Sequence, residues 1–123
     1  MSETSIQISV TKELQKLEYA TRIHNYGMAR VCGRRASGMA IGYWLEKEHR
    51  SEDYGTSYMS HLKAMAADED IHPNVRAAAK RLTTYKYEVG KQEVSVNPLA
   101  DAMLIIRYVE HKLNEVIFPI NED

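Results

Sequence analysis

Three arginines, Arg30, Arg34 and Arg35, are set into an otherwise apolar, small-residue run from Met28 to Leu45. A guanidinium keeps its charge at any physiological pH, so on a buried helix it needs a carboxylate, a phosphate or carbonyl oxygens around it. Glu18, Asp101, Glu110 and Glu115 are the acids that could serve. Without them, the arginines would open onto a ligand. Basic residues are unevenly placed elsewhere too. Thr21 to Leu45 carries four arginines and no acid, and Pro73 to Lys91 carries five lysines and arginines against Glu88 alone. Arg30, Arg34, Arg35, Arg76 and Lys80 are therefore the candidate binding residues for a nucleotide or RNA phosphate, with Tyr87 available for stacking. The competing reading is a solvated basic face, or ion pairs to the acids collected between Glu46 and Asp70.

Other constellations carry less. Arg35-Ala36-Ser37-Gly38-Met39-Ala40 matches the R-x-x-G-x-A spacing that cradles a pyrophosphate. That chemistry needs a strand running into a glycine loop, and the preceding residues here are helical in character. Two Glu-x-x-His spacings, Glu46–His49 and Glu69–His72, have the form of di-iron ligands. One falls at a charged helix end and the other in a loop, so neither would enter a bundle core. Cys32 lies on an apolar stripe, where cysteines are usually inert. No serine has the strained turn context of an activated nucleophile. Neither a metal nor a cofactor is expected.

The whole chain sets the frame for these residues. A length of 123 residues suits one domain, 1–123, able to bury a workable core. Hydrophobic content of 44%, charged content of 27% and a net charge of −1 are those of an ordinary globular chain. A single cysteine cannot form an internal disulfide, and MSETSIQISV lacks the basic start and apolar run of a secretory leader. The expectation is a cytoplasmic protein with no membrane association.

Helical periodicity dominates the elements. Residues 4–10 alternate, with Ile6, Ile8 and Val10 to one side, and predict an extended N-terminal arm over 1–10. Residues 93–96 alternate likewise and could pair with it as a short ribbon. A first helix is predicted from a Thr11 cap to about Asn25, with Gly27 at its C′ position. The second spans Met28 to about Arg50. Its small residues Ala29, Gly33, Ala36 and Ala40 form a seam suited to close helix–helix contact, including contact with a second copy. A short third helix covers Tyr58–Ala67. The fourth starts at Pro73 and ends at Gly90, with a seam of Val75, Ala78, Leu82, Tyr85 and Val89. Asn97-Pro98 begins the fifth, which Pro119 stops. These elements predict an all-α antiparallel four-helix bundle in which the third helix is an extra crossover.

That order of helices resembles the HEPN domain, over about residues 12–117. The local matches are Ala29-Arg30 with Arg35 to Ile41, Ser60-His61-Leu62, and Leu99-Ala100-Asp101-Ala102. The resemblance implies one of three roles: a metal-independent ribonuclease, a non-catalytic partner of a nucleotidyltransferase, or a nucleotide-binding module. Ribonucleases of the family separate an arginine and a histidine by four to six residues. The nearest pair here, Arg107 and His111, has three between them. Positions i and i+4 share a helix face, so Arg107 and His111 are the alternative catalytic pair. The leading expectation is a non-enzymatic, HEPN-like bundle that binds protein, nucleotide or RNA as a homodimer.

Overall fold

A computed structural model describes residues 4–48, 54–85 and 94–119. The described residues form five α-helices and no strand: α1 (Ser5–Arg22), α2 (Tyr26–Glu48), α3 (Tyr58–Ala67), α4 (Pro73–Thr83) and α5 (Pro98–Leu113). Among them, no helix is long and apolar enough to cross a membrane.

The expected N-terminal arm is instead the start of α1. Thr4 caps the helix: its hydroxyl accepts from the Gln7 N–H at 3.3 Å, and the Gln7 side chain accepts from the Thr4 N–H at 2.9 Å. This reciprocal box satisfies two donors that a helix start otherwise leaves unpaired. It also puts Val10, Leu14 and Leu17 on one buried face at helical spacing. The short alternation over residues 4–10 is outweighed by that longer register: Val10 is buried, while Ile8 is exposed. No ribbon forms with residues 94–96; Glu93 lies outside the described residues.

A turn at Ile23–Asn25 separates α1 from α2. His24 takes the left-handed conformation at φ 60°. Asn25 then caps α2, its side-chain oxygen accepting from the Met28 N–H at 3.1 Å. Gly27 therefore lies inside α2 rather than ending α1. Asparagine and histidine carry this turn because both tolerate conformations that β-branched residues avoid.

The second helix packs against all four others. A Cβ added at Gly33 would stand 3.3 Å from Leu82 Cδ2 and Pro98 Cβ, and one at Gly38 would stand 2.5 Å from Tyr58 Cβ. Ala29, Ala36 and Ala40 are fully buried beside them. The small-residue seam is thus spent inside the chain, on α3, α4 and α5, and is not free for a second copy. Each mid-helix glycine costs about 1 kcal/mol in helix propensity, offset here by close approach.

Two expected helix ends moved. The fourth helix stops at Thr83, seven residues short of Gly90. The hydroxyls of Thr83 and Thr84 both donate to the Lys80 carbonyl, and Thr84 is extended. Side-chain capping by two β-branched residues closes the helix before its apolar register runs out. Val89, Tyr87 and Lys86 lie outside the described residues. The fifth helix ends at Asn114, in the left-handed region at φ 54°. Ile117 then folds back and is buried, while Val116 is exposed rather than part of the helical seam.

Candidate anion-binding groove

The candidate arginines Arg30, Arg34 and Arg35 lie in the first half of α2. Arg30 and Arg34 are four residues apart and so lie on one side of the helix. Arg34 Nη1 donates to the Leu82 carbonyl at 3.1 Å, near the end of α4, and its guanidinium lies 5.9 Å from the centre of the Tyr85 ring. Burial pushes the Arg34 pKa below its ordinary value; Tyr85 opposes that shift and the neighbouring charge of Arg30 adds to it. Arg30 lines a groove of about 680 Å3 with His24, Asn25, Tyr26 and Gly27 from the start of α2 and Ser95, Val96 and Pro98 from the approach to α5. His24 Nδ1 and the Tyr26 hydroxyl share a hydrogen bond of 2.8 Å. Among the described residues, no acid lines this part of the groove.

Tyr26, Val96 and Pro98 also line a second, more apolar hollow of about 470 Å3. Leu17, Thr21 and Leu99 face it, with Glu18, Arg22 and Asn97 among its polar lining. The two hollows therefore meet at Tyr26, whose ring is 47% exposed.

The floor at 94–97 is held by an ion pair that the sequence did not reveal. Arg81 grips Asp101 through Nε, at 3.2 Å to both carboxylate oxygens, and through Nη2 at 2.8 Å to Oδ1. Ser95 Oγ donates to Asp101 Oδ2 at 2.6 Å, and the Ser95 N–H donates to the Arg81 carbonyl at 3.2 Å. Arg81, one of the basic residues counted over Pro73 to Lys91, is thus turned toward α5. Asp101, a candidate partner for the arginines of α2, is consumed by it. Glu110 is likewise taken, by Arg107 and by the N–H groups of Ile117 and Phe118. Glu115 accepts from the Tyr43 hydroxyl at 3.3 Å. Among the described residues no carboxylate pairs with Arg30, Arg34 or Arg35.

The other candidates are dispersed. Arg35 is exposed, and its charge is felt at Cys32 rather than at Arg34. Arg76 Nε donates to the Ala66 carbonyl at 3.3 Å and so caps the end of α3. Lys80 is exposed on α4. Arg107 Nη1 donates to Glu110 Oε1 at 2.6 Å and to the Phe118 carbonyl at 2.9 Å, tying the folded-back C-terminal segment to α5. His111 is exposed and contributes nothing to that cluster. His72 caps α4 through Nδ1, which accepts from the Asn74 N–H at 3.1 Å. His49 lies outside the described residues. Among the described residues, no three His, Cys, Asp or Glu side chains are grouped so as to hold a metal ion.

The chain matches no family model, no curated protein and no solved structure. The groove must therefore be read from its own chemistry. Arg30 lines the hollow beside Tyr26, and Arg34, half-buried one turn further along α2, reaches the end of α4; among the described residues no carboxylate pairs with either. Sequence reasoning found both arginines but missed Tyr26, Ser95, Val96 and Pro98. Their meeting depends on how α5 docks against the start of α2, which no local pattern encodes.

Cys32 offers no competing chemistry. It is 3% exposed, and burial raises its pKa, with further rises from the charge of Glu13 and a hydrogen bond to it. Lys16 and Arg35 pull weakly the other way. The folded thiol therefore keeps its proton to higher pH than the unfolded one. Its contribution to stability is undiminished below the ordinary thiol pKa of about 8.5 and is lost as pH rises from there through the folded value. At pH 8, labelling of Cys32 by a thiol reagent should be slower in the native protein than in denaturant, since the sulfur is buried and its thiolate is disfavoured. Equal rates would show an accessible, ionised sulfur.

Proposed function

We propose that this chain is a non-enzymatic, HEPN-like four-helix bundle with α3 as its crossover, and that it acts by binding a phosphate-bearing ligand of the nucleotide or RNA class. The observation that carries this reading is the Arg30–Arg34 pair. Like charges at i and i+4 oppose each other, and partial burial of Arg34 adds a desolvation cost. An anion shared between them offsets both terms, and phosphate accepts the forked hydrogen bonds that a guanidinium offers. The resemblance in helix order supports the same class of ligand. That no acid lines the Arg30 hollow among the described residues favours an anionic ligand over a cationic one there. A homodimer remains part of the reading, but it would use a face other than the small-residue seam of α2.

The test is anisotropy of a fluorescein-labelled oligoribonucleotide, with inorganic pyrophosphate as competitor. Binding should weaken as salt is raised, because neutralised phosphates release counterions. Arg30→Gln and Arg34→Gln should each lower affinity by about tenfold, the equivalent of 1.4 kcal/mol. Arg76→Gln, on the remote part of α4, should leave it unchanged. Binding that ignores salt, or that survives both arginine substitutions on α2, would exclude this site.

A further inference from the structure

We infer that the groove takes one nucleotide, with its phosphate at Arg30 and its base in the adjoining apolar hollow against Tyr26. The inference rests on the phosphate-binding reading above and adds to it the size and polarity of the ligand.

The two hollows differ in chemistry and are joined. The one at Arg30 is the less apolar of the two, and among the described residues no acid lines it. The one at Leu17, Thr21 and Leu99 is largely apolar. Tyr26, Val96 and Pro98 belong to both, so a ligand spanning the two has the tyrosine as the aromatic side chain at their junction. A ligand matched to this arrangement has an anionic end, a planar apolar end and a short polar connector. A nucleoside phosphate has that order of parts. Stacking of a base on an aromatic side chain contributes without reading base identity. Asn97 and Glu18, at the apolar hollow, offer hydrogen-bonding groups to the polar edge of a base.

The helices reinforce the polarity. Both α2 and α5 begin at the groove, each with an asparagine cap, Asn25 and Asn97. Helix starts carry partial positive charge, so two of them flank the phosphate end. The acid in the first turn of α5, Asp101, is neutralised by Arg81 and does not cancel this field. Volumes of about 680 and 470 Å3 suit one nucleotide. A strand would need further stacking positions beyond Tyr26, and Val96, 91% exposed, projects beside it instead.

Calorimetric titration with AMP, GMP, ribose 5-phosphate and inorganic phosphate separates the possibilities. The expected result is that AMP or GMP binds at least tenfold tighter than ribose 5-phosphate. Thr21→Phe, at an exposed position that lines the base hollow and not the Arg30 groove, should bring the mononucleotide down to the ribose 5-phosphate level without affecting the latter, whereas Tyr26→Ala, in both hollows, should weaken the mononucleotide more than ribose 5-phosphate. Circular dichroism and thermal melting confirm that each variant is folded. Arg30→Gln should weaken all the phosphorylated ligands together. If ribose 5-phosphate binds as tightly as AMP and GMP, the base hollow is wrongly assigned while the anion site stands. If no phosphorylated compound binds, the anion reading fails as well. An oligoribonucleotide that binds where AMP and GMP do not would replace the single-nucleotide ligand by a strand.

Discussion

Replacing Asp101 with alanine is expected to cost about 3 kcal/mol of stability. The carboxylate is 5% exposed and accepts from Arg81 Nε and Nη2 and from the Ser95 hydroxyl. Its loss leaves a partly buried guanidinium and a buried hydroxyl without their acceptor. Breaking a buried pair from one side costs about 3–5 kcal/mol, and the lower end applies because Arg81 keeps some contact with water. Urea titration measures the loss directly, and a change below about 1 kcal/mol would show that water replaces the carboxylate. Asp101→Asn should fall between, since an amide oxygen still accepts from Ser95 but gives up the charge. The same substitution should loosen Ser95 and Val96 and so weaken ligand binding at the groove without touching either arginine there.

The second large effect is expected at Trp44. The indole is 1% exposed near the C-terminal end of α2 and makes edge-to-face contacts with Tyr54, 6.1 Å between ring centres, and with Tyr108, at 6.0 Å. It thus joins α2 to α5 and to the segment that precedes α3. Trp44→Ala should remove about 3–5 kcal/mol, a large share of what a domain of this size has to lose. Trp44→Phe should recover a good part, because a smaller ring can keep one of the two edge contacts at about 0.5–1.5 kcal/mol. Chemical denaturation followed by far-UV circular dichroism is the measurement, since the substitution removes the fluorophore. Equal stability of the alanine and phenylalanine variants would mean that the ring contacts contribute nothing beyond volume.

What could be read from the sequence was set by local chemistry. Pro73 and Asn97-Pro98 announce helix starts because proline lacks the N–H that a first turn leaves unpaired, and both starts stand where expected. The bounds of α3 are those read from Tyr58 to Ala67. The start of α1 was misread because Ile6, Ile8 and Val10 alternate over a span too short to tell a strand from one side of a helix. The Thr4–Gln7 box was the better signal. The end of α4 was misread because Tyr85 and Val89 extend its apolar register, whereas Thr83 and Thr84 terminate it through side-chain hydrogen bonds. The groove was half legible. Unmatched arginines are visible in composition, but which acids are free to meet them depends on tertiary pairing. The bond from Arg81 to Asp101, twenty residues on, took the acid that α2 would otherwise have claimed.

The order of contacts along the chain has a kinetic consequence. Tight turns bring α1 onto α2 and α3 onto α4, so those pairs close over short loops, whereas α5 must return to α2 across some fifty residues. Short-range pairs form early and long-range ones late. The groove lies on this late seam, between the first turn of α2 and the chain leading into α5. It therefore does not exist until the last helix docks. A ligand held there engages only the fully assembled chain, so its binding free energy adds to global stability rather than to that of any early hairpin.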